Sequence, residues 1–313
     1  MKKIFTPLAF LFFSLVAYAQ QDPQFSQFMF NKLYSNPGYA GSSDAICGTL
    51  LYRNQWMGFD GAPKTGMLSA DMPVPVLHGG VGLSVAIDKL GFETSLGAKL
   101  AYSFRMDLGP GKLGIGVDAG ILQKALQGSK FIYTQSGDAF IPGDLGALIP
   151  DFGLGLFYNI DKKLYFGISS THLSQGTFKY GNVEVNQSRH YYISGGYNID
   201  LNPSFTLKPN ILVKSDAAST IIDFNTNLMY NNQIWGGVSY RSAPSIVGNN
   251  DAIVVLLGMD LSTYVEGLKF GYSYDITTSS IKNYSSGSHE IMLGYCMKPK
   301  PKPSHSIRTV RFL

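Results

Sequence analysis

Residues 78–88 read HGGVGLSVAID, and the alternation in this stretch decides how the chain folds. Val81, Leu83, Val85 and Ile87 fall on one side of an extended strand, while Gly80, Gly82, Ser84, Ala86 and Asp88 fall on the other, because successive side chains of a strand point to opposite faces. The same rhythm returns where Phe152, Leu154, Leu156, Tyr158 and Ile160 alternate with Asp151, Gly153, Gly155 and Asn159. It returns again where Leu268, Phe270, Tyr272, Tyr274 and Ile276 alternate with Lys269, Gly271, Ser273, Asp275 and Thr277. In a soluble sandwich the apolar face would line a core. In a membrane barrel it would meet lipid and the small polar face would meet the lumen.

Composition weighs on the side of the barrel. Only 15% of the 313 residues are charged, against about a quarter in soluble domains, yet the mean hydropathy is just +0.04. A helical membrane bundle would be far more apolar, whereas a wall with one greasy and one polar face averages to this value. After the first residues no run offers the roughly eighteen apolar positions that a spanning helix needs. Backbone groups in lipid must then be satisfied by a closed barrel.

About fourteen strand-like segments can be counted: 46–56, 64–74, 78–88, 93–106, 111–125, 150–160, 163–173, 188–200, 205–215, 219–231, 234–242, 252–262, 268–278 and 287–297. The expected fold is all-β, a transmembrane antiparallel β-barrel. If the first strand rises from the periplasm, the connections at 126–149, 174–187, 243–251 and 279–286 all face outside. Those at 108–111 and 161–162 face inside and are short. Long loops outside and short turns inside are the habit of outer-membrane barrels.

The ends are read separately. Residues 1–19 have the form of an export signal: Lys2 and Lys3, an apolar run, then Ala17, Tyr18 and Ala19. The signal contains no cysteine, so no lipid anchor is expected. Residues 20–45 form an N-terminal periplasmic or plug segment, 46–298 the barrel, and 299–313 a basic, proline-rich periplasmic tail. Lys298, Lys300, Lys302, Arg308 and Arg311 supply five positive charges at that end, more than the whole formal charge of +4. The basicity therefore belongs to one short stretch, a candidate for docking a partner, and gives no case for nucleic-acid binding.

The wording between residues 22 and 73 carries a family likeness. Asp22, Pro23, Phe25, Ser26 and Gln27 are followed by Asn36, Pro37, Tyr39, Ala40 and Gly41, then by Arg53, Gln55 and Trp56, then by Pro63, Lys64 and Thr65. Ser288, His289, Glu290, Gly294 and Tyr295 close the pattern. This resembles the PorP/SprF family, outer-membrane components of the type IX secretion and gliding machinery of Bacteroidota. The resemblance implies a non-enzymatic barrel without cofactors, which helps a secreted cargo such as an adhesin reach or stay on the surface and contacts periplasmic secretion-machine proteins. Periodicity alone leaves open a channel for small or hydrophobic molecules, and a barrel enzyme is the third class.

Several local signals are weaker. Gly114, Gly116 and Ala119 match a dinucleotide-binding pattern, but they sit inside a strand instead of a strand-to-helix turn. Ser288, His289 and Glu290 are neighbours in a strand, where adjacent side chains point to opposite faces, so they cannot form one constellation by themselves. The five histidines and two cysteines lack metal-ligand spacing. Arg53, Arg105, Asp118, Asp223 and Arg241 are expected in the lumen as structural pairs, since charge facing lipid costs a few kcal/mol. Trp56, Trp235 and tyrosines near strand ends are expected in interfacial belts. Phe25, Phe28, Phe30, Leu33 and Tyr34 are too apolar for a free arm and must pack in the barrel mouth or on a neighbour. Cys47 opens the first strand and Cys296 closes the last, so a closed barrel makes them neighbours across the seam, with a disulfide open to them.

Overall fold

The computed structural model describes residues 22–130, 143–180, 183–243 and 250–298. Residues 1–21, with the expected export signal, the stretch with Lys300, Lys302, Arg308 and Arg311, and parts of the long connections lie outside the described residues. Among the described residues seventeen strands run in chain order. They are β1 (Ile46–Asn54), β2 (Lys64–Val74), β3 (Gly79–Leu90), β4 (Glu93–Leu108), β5 (Gly111–Gln127), β6 (Asp144–Ile160), β7 (Leu164–Thr171), β8 (Thr177–Tyr180) and β9 (Val183–Asn186), followed by β10 (His190–Tyr197), β11 (Ile199–Asn202), β12 (Phe205–Ser215), β13 (Thr220–Tyr230), β14 (Ile234–Ser242), β15 (Asn250–Asp260), β16 (Leu268–Thr277) and β17 (Ser288–Met297).

Each wall strand pairs antiparallel with the next, and β11 extends the line of β10 along β12. The wall closes when β17 returns to β1, in register from Ile46 opposite Met297 to Asn54 opposite His289. The result is a closed barrel of fourteen wall strands, which leaves no sheet edge unpaired in lipid. Cys47 and Cys296 are directly opposite across this seam and form a disulfide, with Cα atoms 4.1 Å apart.

The faces are inverted relative to a soluble protein. Leu100, Val117, Leu154, Val238 and Leu257 point outward and are exposed, while Ser84, Asp118, Asp151, Ser239 and Arg241 point inward and are buried. Tyr191, Tyr197 and Tyr230, at strand ends, also face outward. The two tryptophans do not join them, contrary to the sequence expectation. Trp235 shares its face with Ser239 and Arg241, so strand parity turns it inward, where it is 1% exposed. Its ring lies 5.1 Å from that of Phe30. Trp56 lies past the end of β1 and lines a cavity at the barrel mouth.

The chain enters the wall at Ile46 and leaves it at Met297 on the same rim, called here the terminal rim. Turns on this rim are short, such as Gly109-Pro110, where Gly109 adopts a φ of 58° that a side chain would strain. The other rim, the loop rim, carries the longer connections. Two differ from the sequence expectation. Strand β6 begins at Asp144, six residues before the expected start, and the connection after β7 contains the hairpin β8–β9. Phe178 and Tyr180 of that hairpin are buried against Ile149 of β6, with Leu122 and Leu145 packed beside them. Four-residue strands are too short for periodicity to reveal, and their apolar faces find partners only once β5 and β6 have projected beyond the rest of the wall.

Residues 22–45 lie within the barrel. Short helical turns at Phe28–Phe30, Lys32–Ser35 and Pro37–Tyr39 compact the segment. Phe25 packs with Leu51, Met67, Trp235 and Met292, while Phe28 and Met29 pack with Tyr192, Leu212, Val254 and Leu256. The aromatic residues noted in the sequence therefore fill the lumen well beyond the mouth.

Candidate functional site

The densest chemistry of the molecule lies where this lumen segment meets the inner wall. Wall strands β1, β13, β14, β16 and β17 turn Arg53, Asp223, Arg241, Asp275 and Glu290 inward, and each is 1% exposed or less. Arg53 pairs with Asp275 at 2.7 Å and Glu290 at 3.3 Å, and Arg241 pairs with Asp223 at 2.7 Å and Asp275 at 2.9 Å. Two guanidiniums thus face these three carboxylates, with Asp251 also 3.7 Å from Arg241, so the carboxylates need further donors. The lumen segment brings them. The backbone N–H groups of Ser26 and Gln27 each donate to Glu290 at 2.8 Å. The Ser26 hydroxyl donates to Asp275 at 2.8 Å and accepts from Arg53 and Arg241 at 2.9 and 3.0 Å. Gln24 donates to Asp223 at 2.6 Å. Buried charges are tolerable only when paired and fully hydrogen-bonded, so the segment and the wall complete each other.

A second set of contacts fixes the part of the segment nearer the terminal rim. The Asn36 side chain accepts from Gly38 N–H and donates to the Leu156 carbonyl on the inner face of β6. This caps the turn at Pro37–Tyr39 and anchors it to the wall. Gly116 explains the glycine pattern seen in the sequence. A Cβ there would lie 2.2 Å from the Gly38 nitrogen, so glycine lets the two backbones touch and serves no nucleotide. Gly41 donates to Asp71, and Arg105 donates to the Gly41 carbonyl and pairs with Asp44 at 2.6 Å. Lys32 donates to the Met29 carbonyl and lies over the Tyr165 ring at 4.5 Å. Burial holds its ammonium down at about 8, with Lys269 and Lys208 adding like charge.

Toward the loop rim the lumen opens into a cavity of about 740 Å³, whose lining includes Trp56, Asp88, Glu93, Lys99, Lys124 and Lys214. On its floor Asp22 meets His172 at 2.8 Å, accepts from the Tyr192 hydroxyl at 2.5 Å, and donates from its backbone to His190 at 3.2 Å. Lys99 pairs with Asp151 at 2.9 Å beside Asp118.

The motif residues named from sequence divide clearly. Asp22, Ser26, Gln27, Arg53 and Glu290 converge in the lumen although up to 268 positions separate them, and Asn36, Pro37 and Gly41 dock the same segment. Pro23, Gln55, Pro63 and Thr65 line the cavity, and Thr65 donates to Asp88 at 2.6 Å. Ser288 accepts from Trp56 N–H at 3.0 Å, whereas His289 faces the outer side with Tyr272 at 2.6 Å. Ser288 and His289 thus diverge and form no nucleophile–base pair. Lys64 and Tyr295 are exposed on the wall, Gly294 sits in the seam strand opposite Thr49, and Lys298 follows β17 at the terminal rim. Sequence reasoning missed Asp275 as the centre of the charge network, and it missed His172 and His190. For Asp275 the signal was present in its inward parity. For the two histidines it was not, because only the pairing of β7 with β10, which sets His190 opposite Thr171, brings them together.

The family model described as type IX secretion system membrane protein PorP/SprF matches residues 17–295. Comparison with curated proteins finds no match. Among solved structures, the outer membrane protein Omp33 of Acinetobacter baumannii is 10% identical over 81% of this chain and 97% of its own, with a TM-score of 0.46. The TodX deltaS2S3 mutant monoaromatic hydrocarbon channel is 11% identical over 85% of this chain and 94% of its own, with a TM-score of 0.48. The CymD monoaromatic hydrocarbon channel is 10% identical over 87% and 93%, also at 0.48.

Proposed function

The chain belongs to the PorP/SprF family of type IX secretion system membrane proteins, and on that premise we propose that it serves the machine as a closed, non-enzymatic outer-membrane barrel. Its work is contact: it assists the secretion or surface attachment of a cargo such as an adhesin and engages periplasmic secretion-machine proteins. The observation that carries this reading is the latch of Ser26 and Gln27 onto Arg53, Asp275 and Glu290, which holds residues 22–45 as a plug across the lumen. A barrel whose own motif residues are spent on filling it offers its rims, not its bore, to partners.

In this reading the terminal rim faces the periplasm and the basic tail 299–313 docks an acidic groove there. The decisive experiment is affinity purification from the native outer membrane. Co-recovery of secretion-machine proteins with a surface adhesin supports the proposal, and recovery of the barrel alone removes it. Deleting 299–313 should weaken that recovery in a salt-sensitive way and leave the barrel assembled. A tag within 127–149 should be reached from outside intact cells, and a tag after Lys298 should not. The cavity of about 740 Å³ favours a second reading, a channel for small or hydrophobic molecules. A large, steady conductance of the isolated protein in planar bilayers would establish it at the expense of the plugged one.

A further inference from the structure

We propose that Asp22, His172 and His190 form a transition-metal site, best suited to zinc, that ties the first part of the lumen segment to the wall. The carboxylate oxygen and one nitrogen from each ring all lie within 4.8 Å of one another. Tetrahedral zinc, with bonds of about 2.0–2.2 Å to such ligands, needs its donors roughly 3.4 Å apart, so the widest pair must draw in by up to about 1.4 Å while His172 Nε2 and Asp22 Oδ1, at 2.8 Å, spread. The two histidines are 4% and 0% exposed.

The orientation of the three side chains is what points to a metal. Nδ1 of His172 lies 2.9 Å from the Asp151 carboxylate, and Nδ1 of His190 lies 3.1 Å from the Ser188 carbonyl. Nδ1 of His190 is engaged by an acceptor and that of His172 lies beside one, and both rings turn Nε2 toward Asp22: His172 Nε2 to Oδ1 at 2.8 Å, and His190 Nε2 accepting from the backbone N–H at 3.2 Å. Metal-bound histidines are held in this way, with the second nitrogen given to a carboxylate or a carbonyl. The third ligand is also held, because the Tyr192 hydroxyl donates to Asp22 Oδ2 and leaves Oδ1 directed at His172. The Asp22 N–H that donates to His190 Nε2 would give way to the ion.

Charge and access agree. Around the cluster Asp22, Asp118 and Asp151 face the ammoniums of Lys99 and Lys214, the latter donating to the Asp22 carbonyl at 2.8 Å. His172 stands between Asp22 and Asp151 and as an imidazolium balances this set, so a zinc ion would take the place of that proton. Two imidazoles with one carboxylate suit zinc and its neighbours in the transition series, whereas calcium and magnesium prefer oxygen alone. Asp22, Thr171 and His172 line the cavity, so a fourth position is open to water. Asp22 belongs to the lumen segment, His172 follows β7 and His190 opens β10. An ion there links three parts of the chain.

The test is calorimetric titration of zinc alone into the chelator-stripped, folded full-length barrel, with metal content measured in parallel. We expect one equivalent to bind saturably, His190→Gln and Asp22→Asn to weaken binding at least tenfold, and His289→Gln to leave it unchanged. Absence of saturable zinc binding by the wild type overturns the proposal, as does binding of undiminished affinity in His190→Gln. Should His190→Gln fail to show the shifted gel migration of a folded barrel, Asp151→Asn decides. A drop of about 10–100-fold, the usual cost of losing such a supporting carboxylate, upholds the site, and an unchanged affinity removes it.

Discussion

The wall and the lumen segment are held by different physics. Each wall strand gains its stability from the neighbour beside it, through regular backbone ladders and apolar side chains that face lipid, so its interactions are repeated and local in register. Residues 22–45 have no ladder. They are held by single side-chain and backbone hydrogen bonds to wall residues from 19 to 264 positions away, several of them to buried charges. A repeated interaction degrades gradually when one member is lost, whereas a non-repeated buried network fails at once because its remaining charges have no alternative partners. The segment should therefore be separable from the wall by mutations that leave the barrel closed.

The largest effect is expected from Arg53→Met. It leaves Glu290 without a cationic partner, takes from Asp275 one of its two guanidiniums and removes a donor to Ser26, and breaking one side of a buried ion pair costs about 3–5 kcal/mol. Protease should then cut near Lys32 at a temperature where the barrel still shows the gel migration of a folded wall. Simultaneous loss of both would show that wall and segment are one cooperative unit, and the contrast would collapse.

That division also sets how much the sequence disclosed. Lipid imposes a two-residue period on the outer face, so strands such as Phe205–Ser215 and Ile234–Ser242 could be bounded to the residue. Parity then placed Asp118, Asp223 and Arg241 inward. It also faced Trp235 inward, but the habit of placing tryptophan at interfaces prevailed over parity, which was the better guide. The lumen segment has no period. Its docking against Gly116 depends on a missing Cβ, and its pairing with Asp275 depends on which strands a closed sheet brings together. The hairpin at Thr177–Tyr180 and Val183–Asn186 and the cluster of Asp22 with His172 and His190 were hidden for the same reason.

Cys47→Ser probes the wall and should spare the segment. The disulfide spans 249 positions and acts on the unfolded chain, for which about 2–4 kcal/mol is typical. The seam retains its backbone pairing along β1, so the barrel should close and melt at a lower temperature, with protease protection of the lumen segment unchanged below that melt. Gly116→Val makes the reverse cut. Its side chain would meet Pro37 and Gly38 while suiting β5 as a strand, and overpacking of this kind costs about 1–3 kcal/mol. A reporter thiol introduced as Ser35→Cys should become reactive to a water-soluble maleimide only when Gly116→Val is also present. Equal reactivity with glycine at 116 would mean that the segment never docks tightly on β5 and β6.

The smallest effect expected is a pH dependence carried by Lys32. Its ammonium sits in the lumen with an affinity for protons lowered from 10.5 to about 8, by burial first and then by Lys269 and Lys208. Between pH 8 and 10.5 the unfolded chain holds this proton while the folded chain has released it, so folding is accompanied by proton loss and stability rises with pH across that window. Below pH 8 both states are protonated and the full penalty of burying the charge applies. Lys32→Met keeps an apolar side chain at this position and removes the charge that lies over the Tyr39 and Tyr165 rings. It should therefore protect the lumen segment from protease at pH 7 slightly better than the wild type, and the advantage should shrink as the pH approaches 10. A variant that is less protected at pH 7 would show that the donation from Lys32 to the Met29 carbonyl outweighs the burial of its charge, placing Lys32 among the residues that hold the segment in the barrel.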